Sequence, residues 1–308
     1  MSGAASTFSV LTFGVAPYET LEREWRWAEE IGFGGVWVPD TFTLQGLADF
    51  ETWTLLAAVA RATHRVHVGS LVTVIMARHP ALLARSILTV DHISGGRVRV
   101  GIGVGDTPED ADALGLPRWP PRERVDRLGE QLAILNHLLR GETISKRGTY
   151  YSVLAGKPVS PVQIPRPPII VAAEGPRALL LAARYADGWV TLAGQPPKEW
   201  AGGGGGPSSR AQAVVATRER IERLTSAARD AGRDPHAIRK IALAYRQAVD
   251  PLTSLDAFDE FVGAFAAAGI EEFVFYWPPV ADLRASRPVD DARRRQVERI
   301  ASARFFSA

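Results

Sequence analysis

The 308-residue chain contains no cysteine. That absence excludes disulfides, cysteine-ligated metals and a thiolate nucleophile. Long apolar runs are missing as well, and nothing approaches the ~20 residues that span a bilayer. The opening MSGAASTFSVLTF has neither the basic start nor the apolar core of a signal peptide. The expectation is a cytoplasmic protein with no membrane partner. An excess of one charge is lacking too: 36 Lys and Arg face 34 Asp and Glu. The densest basic runs, Arg218–Arg223 and Arg293–Arg295, lie in helical patterns, the first interleaved with Glu. They read as solvated helix faces, with no nucleic-acid partner. The G-x-x-x-x-G-K-[ST], G-x-S-x-G and H-E-x-x-H patterns are also absent.

What is present is an alternation of short β-rich runs with amphipathic segments. The runs are Phe8–Ala16, Gly35–Pro39, Val66–Val74, Val98–Val104, Ile169–Ala173, Gly188–Leu192, Ile238–Val249 and Glu272–Trp277. Helical patterns follow each, several with Pro at the first position (Pro80, Pro108, Pro176) or Gly just past the end (Gly32, Gly232, Gly269). Eight strand–helix units in this length predict an α/β fold, a (β/α)8 TIM barrel, with a doubly wound sheet as the alternative. Near-continuous apolar strands suit parallel strands covered by helices. Two segments break the beat. Residues about 142–167, after the fourth helix, read as a small hairpin and a proline-rich connection. Residues about 194–209, before the sixth, hold five consecutive glycines, either a loop over the mouth or a tolerated surface insertion.

Catalytic groups of such a barrel gather at the C-terminal ends of its strands. The fourth strand ends GIGVGD, which fails as a dinucleotide fingerprint because Asp106 stands where the third glycine belongs. Its glycines clear one face of the strand, either for a flat ligand or to relieve crowding inside the barrel. Beyond it, Thr107, Pro108 and Asp110 read as a helix start, and capping accounts for Glu109, Asp110 and Asp112 without a metal. Asp106 alone is left for chemistry. The second strand ends VWVPDTF, bringing Asp40 and Thr41 to the same mouth. The fifth ends in Glu174-Gly175-Pro176-Arg177. A Gly-Pro opening a helix leaves first-turn N–H groups beside a cation, which suits a phosphate as well as a simple cap. His79 reads as a loop-packing residue, and His64 and His67 as structural ones on the opposite side.

Taken in order, WAEEIGFGGVWVPDTF, FETWTLLAAVARAT, VGSLVTVIMARHPALLARSILTVDHISGGRVRVGIGVG, RVDRLGEQLAIL, GTYYSV, PVQIPRPPIIVAAEGP and LAARYADGWVT resemble the bacterial luciferase-like superfamily. The pattern is most similar to its coenzyme F420 (deazaflavin) branch. The resemblance covers nearly the whole chain and implies one TIM-barrel domain over residues 1–308. It also implies an oxidoreductase that moves a hydride between F420 and a small organic substrate, and a homodimer. The alternative is an FMN-dependent monooxygenase. A non-proline cis peptide near Leu71–Val72 would prop the ring, with Leu71, Val72, Thr73, Gly103, Val104 and Gly105 around it. Glu174, Gly175, Pro176 and Arg177 would hold its phosphate. Asp40, Thr41 and Asp106 would be the groups near the reacting centre. One departure stands out: many relatives carry His where this chain has Thr41, and Thr does not exchange protons near neutral pH as His does.

Overall fold

A computed structural model of the chain describes residues 6–42, 49–105, 108–193, 209–245, 247–279, 282 and 289–305. Eight parallel strands close on themselves: β1 (Thr7–Leu11), β2 (Gly35–Val38), β3 (His67–Val74), β4 (Val98–Gly103), β7 (Ile169–Ala172), β8 (Gly188–Leu192), β9 (Arg239–Leu243) and β10 (Glu272–Tyr276). Pairing of β1 with β10 from Thr7↔Glu272 to Leu11↔Tyr276 completes the ring and excludes the doubly wound alternative. An antiparallel hairpin, β5 (Ile144–Arg147) with β6 (Ser152–Gly156), falls within the expected interruption. The glycine-rich stretch 194–208 lies outside the described residues.

The helices are α1 (Tyr18–Glu30), α2 (Thr52–Ala62), α3 (Pro80–Ser94), α4 (Pro108–Ala113), α5 (Pro121–Leu138), α6 (Pro176–Tyr185), α7 (Arg210–Asp230), α8 (Leu255–Ala266) and α9 (Asp291–Arg304). Pro80, Pro108 and Pro176 each take the first helical position, where a missing N–H costs nothing. None of the described helices is long and apolar enough to cross a membrane.

Side chains alternate across each strand, so the barrel has two apolar layers. Val98, Val100 and Ile102 of β4 face outward, joining Leu83, Ile87, Leu128 and Leu132 of α3 and α5 in the larger layer. Leu11, Trp37, Ile170, Val190, Ile241 and Val274 fill the interior. Burying each such side chain contributes roughly 1.5–3 kcal/mol.

Two strands stop several residues short of their apolar runs. The first ends at Leu11 rather than Ala16, yet Phe13 still packs into the interior layer. The seventh barrel strand ends at Leu243 because the Tyr245 N–H turns back to the Leu243 carbonyl at 2.7 Å. Strand propensity continues in both places, but the neighbouring ladder does not.

Candidate active site

The mouth is shaped first by a misfit between two strands. The β3–β4 register shifts between Ser70 and Thr73, and the Leu71–Val72 peptide is cis, at the position implied by the resemblance. The bulge explains the glycines of β4. A Cβ at Gly101 would lie 2.1 Å from the Ser70 carbonyl oxygen, and one at Gly103 would lie 2.8 Å from Val72 Cγ2. Those glycines therefore admit the bulge of the neighbouring strand, the crowding explanation for GIGVG. Val72 fills the space they leave and stays half-buried in the interior layer, while Leu71 is buried beside it. Gly105 adopts φ 65°, and its carbonyl accepts from Arg124 Nη1 at 2.7 Å.

Behind the bulge lies a polar relay. Thr73 Oγ1 accepts from Trp53 Nε1 at 2.9 Å and donates to Asp40 Oδ2 at 2.5 Å. The same Asp40 oxygen is paired with Arg78, which also reaches Glu51. Asp40 is 2% exposed, so its carboxylate is built into the wall that carries Thr73. Thr41 differs: its hydroxyl donates to Asp49 Oδ2 at 3.0 Å. Partial burial pushes the Asp49 carboxyl up; Thr41 opposes the shift, and the charges of Asp110 and Asp40 add to it. Asp110 is also more than a helix-start acid, because its Oδ1 accepts from the Phe42 N–H at 3.0 Å. Sequence reading missed Asp49. It lies eight residues past Thr41, and only the fold returns it. Asp106 and Thr107 lie outside the described residues. No group of three His, Asp or Glu among the described residues is placed to hold a metal ion.

The segment after β7 divides into two parts. Glu174 faces the barrel wall: Oε1 accepts from Thr191 Oγ1 at 2.8 Å and Leu192 N at 2.9 Å, and Oε2 lies 2.7 Å from Arg220 Nη2. Gly175 and Pro176 are exposed and open α6 with no side-chain cap. A Cβ at Gly175 would meet nothing within 4 Å among the described residues. Arg177 is exposed and pairs with Asp126 at 2.6 Å. An open helix N-terminus with a cation beside it has the electrostatics of an anion cradle.

The histidines fall away from this chemistry. His79 caps α3, its Nδ1 accepting from Ala81 N at 3.2 Å, and its ring meets Tyr151 edge-on. His67 is buried at the opposite end of the barrel.

The model of the luciferase-like monooxygenase family matches residues 5–273. The chain belongs to the luciferase-like monooxygenase family. Within this luciferase-like family, it is 35% identical over 180 residues to an F420-dependent glucose-6-phosphate dehydrogenase of Microbacterium testaceum, a match covering 56% of this chain and 52% of that protein. It is 37% identical over 175 residues to the F420-dependent hydroxymycolic acid dehydrogenase of Mycobacterium tuberculosis, covering 54% and 47%. The chain thus spans about half the length of the curated luciferase-like relatives it matches. A solved F420-dependent secondary alcohol dehydrogenase, in complex with an F420-acetone adduct, superposes with a TM-score of 0.73 at 20% identity. That superposition covers 91% of this chain and 96% of the other.

Proposed function

We propose that this chain is an F420-dependent oxidoreductase acting on a small organic substrate. The observation that carries the proposal is the pairing of two empty-handed surfaces at one mouth. One is the half-buried Val72 bulge, and the other is the uncapped start of α6 at Gly175. A flat ring with a phosphate-bearing side chain fits that pair. Leu71, Val72, Thr73, Gly103, Val104 and Gly105 would border the ring, and Gly175, Pro176 and Arg177 the phosphate, with Glu174 holding the segment to β8. FMN has the same two parts; the F420-dependent names of the relatives favour the deazaflavin.

When bound, a deazaflavin supplies two-electron hydride transfer at its C5 carbon. Reduction of a carbonyl takes one hydride at carbon and one proton at oxygen, so the chain has a proton to deliver. In this reading Thr41 touches the substrate, its hydroxyl oriented by the bond it donates to Asp49. Asp40 acts from behind by fixing Thr73. Asp106, next in sequence to Gly105, is the proton carrier under this proposal. The same reading includes a cytoplasmic homodimer built on the apolar helices α2 and α3; Leu82, exposed on α3, is available to such an interface.

Titrating purified F420 and FMN into the chain and following intrinsic fluorescence tests the proposal. Saturable quenching by F420 with none by FMN is expected. Tight FMN binding without F420 binding would overturn it.

A further inference from the structure

The mouth has a second half that the cofactor reading leaves unused. In the barrel β1, β10 and β9 are consecutive neighbours. Their upper ends turn Phe13, Tyr276 and Tyr245 into one interior cluster. Phe13 and Tyr276 stack in parallel, 5.8 Å between centroids and 2° between planes, and Tyr245 tilts against Tyr276 at 6.3 Å. Leu192 continues this arc, and Val72 belongs to the same cluster from the bulge side. Tyr245, Tyr276 and Leu192 are half-buried.

We propose that this aromatic arc selects a neutral, ring-bearing organic substrate, such as a cyclic or aromatic ketone or its alcohol, over a sugar phosphate. The inference rests on the oxidoreductase reading of the same mouth. Three aromatic side chains and a leucine offer contact area and ring faces to an apolar ring. A sugar's many hydroxyls need more hydrogen-bond partners, once they leave water, than the two tyrosine hydroxyls of the arc supply. A phosphate fares worse, because aromatic faces carry the negative side of the ring quadrupole. Two acids beside the mouth are held by arginines, Asp40 by Arg78 and Glu174 by Arg220. The two dehydrogenase relatives act, by name, on a sugar phosphate and on a hydroxymycolic acid; the arc places this chain with the apolar side of that contrast.

Saturation-transfer NMR on the F420-saturated chain, whose phosphate cradle at Gly175 is then filled, tests the assignment, using acetophenone, cyclohexanone, glucose and glucose 6-phosphate as probes. Transfer to the two ring ketones and none to the sugars is expected. Tyr276→Ala and Phe13→Ala should each weaken ketone binding about tenfold, while Tyr276→Phe keeps it, and a thermal melt confirms that each variant is folded. Preferential binding of glucose 6-phosphate would overturn the proposal, as would ketone binding that both alanine variants leave unchanged. Arg246→Ala provides a further arm, since Arg246 follows Tyr245 and lies outside the described residues: sugar-phosphate binding lost in that variant is an overturning result. Ketone binding together with failure of F420 to bind would instead sink the oxidoreductase reading and leave the arc as an apolar-ring site.

Discussion

The two ends of this barrel solve the same problem in opposite ways. At the floor, inward positions carry polar groups gathered around one buried carboxylate. Glu272 is fully buried; it accepts from Ser9 Oγ at 3.2 Å and Arg99 Nη1 at 2.9 Å, and Arg239 lies 3.8 Å away. The His67 ring fills the space that Gly35 leaves, its Nε2 3.5 Å from Glu272 Oε1 without hydrogen-bond geometry. At the mouth, the inward positions are half-buried aromatic and aliphatic faces, and α6 begins without a cap. The floor is closed by charge pairing within the chain, whereas the mouth keeps its contacts for something else. In this fold the floor carries stability and the mouth carries function.

Substitutions can break that division. The largest effect is expected for Glu272→Gln, which leaves Arg99 and Arg239 facing each other across the floor. Losing one partner of a buried pair costs about 3 kcal/mol here, at the low end because both arginines reach solvent. Urea denaturation should show that loss, while F420 affinity stays within about twofold. A matching loss of affinity would show that the two ends are coupled.

A smaller effect comes from pH. Burial, reinforced by Arg99 and Arg239, holds His67 well below the 6.5 of a free imidazole. The unfolded chain therefore takes up a proton in a range where the folded chain does not. Stability is full above pH 6.5 and declines as the pH drops below it, by at most about 1.4 kcal/mol per unit. Denaturation at pH 7.5 and 5.5 should reveal the decline, and His67→Gln should remove it. An equal decline in both proteins would place the titrating group elsewhere.

The smallest effect sharpens the comparison from the other side. Arg177→Ala removes an exposed cation whose pair with Asp126 contributes little to stability. The melting temperature should barely move, while F420 affinity falls about fivefold, roughly 1 kcal/mol. A variant that melts early but binds F420 normally would reverse the assignment of that rim.

Much of the architecture was legible because it depends on period and punctuation. Eight β-rich runs, prolines at helix starts and glycines at helix ends act locally, and all eight strands form where the runs lie. Gly175-Pro176 could be read as a helix opening for the same reason. The glycines of the fourth strand were legible as a cleared face, but their occupant was not, because Ser70 and Val72 lie some thirty residues away. Asp40 read as a group near the reacting centre, and the structure commits one of its oxygens to Thr73 and Arg78.

By itself, then, the sequence determined the class of fold, the order of its units and the segments that border the mouth, since those follow from short-range patterning of apolar residues, prolines and glycines. Tertiary structure alone decided which carboxylate pairs with an arginine and which backs Thr41, what fills the space above Gly101 and Gly103, and that Phe13, Tyr245 and Tyr276 form one surface. Each of those outcomes joins residues from different strand–helix units, and barrel closure, which no local pattern encodes, sets their distances.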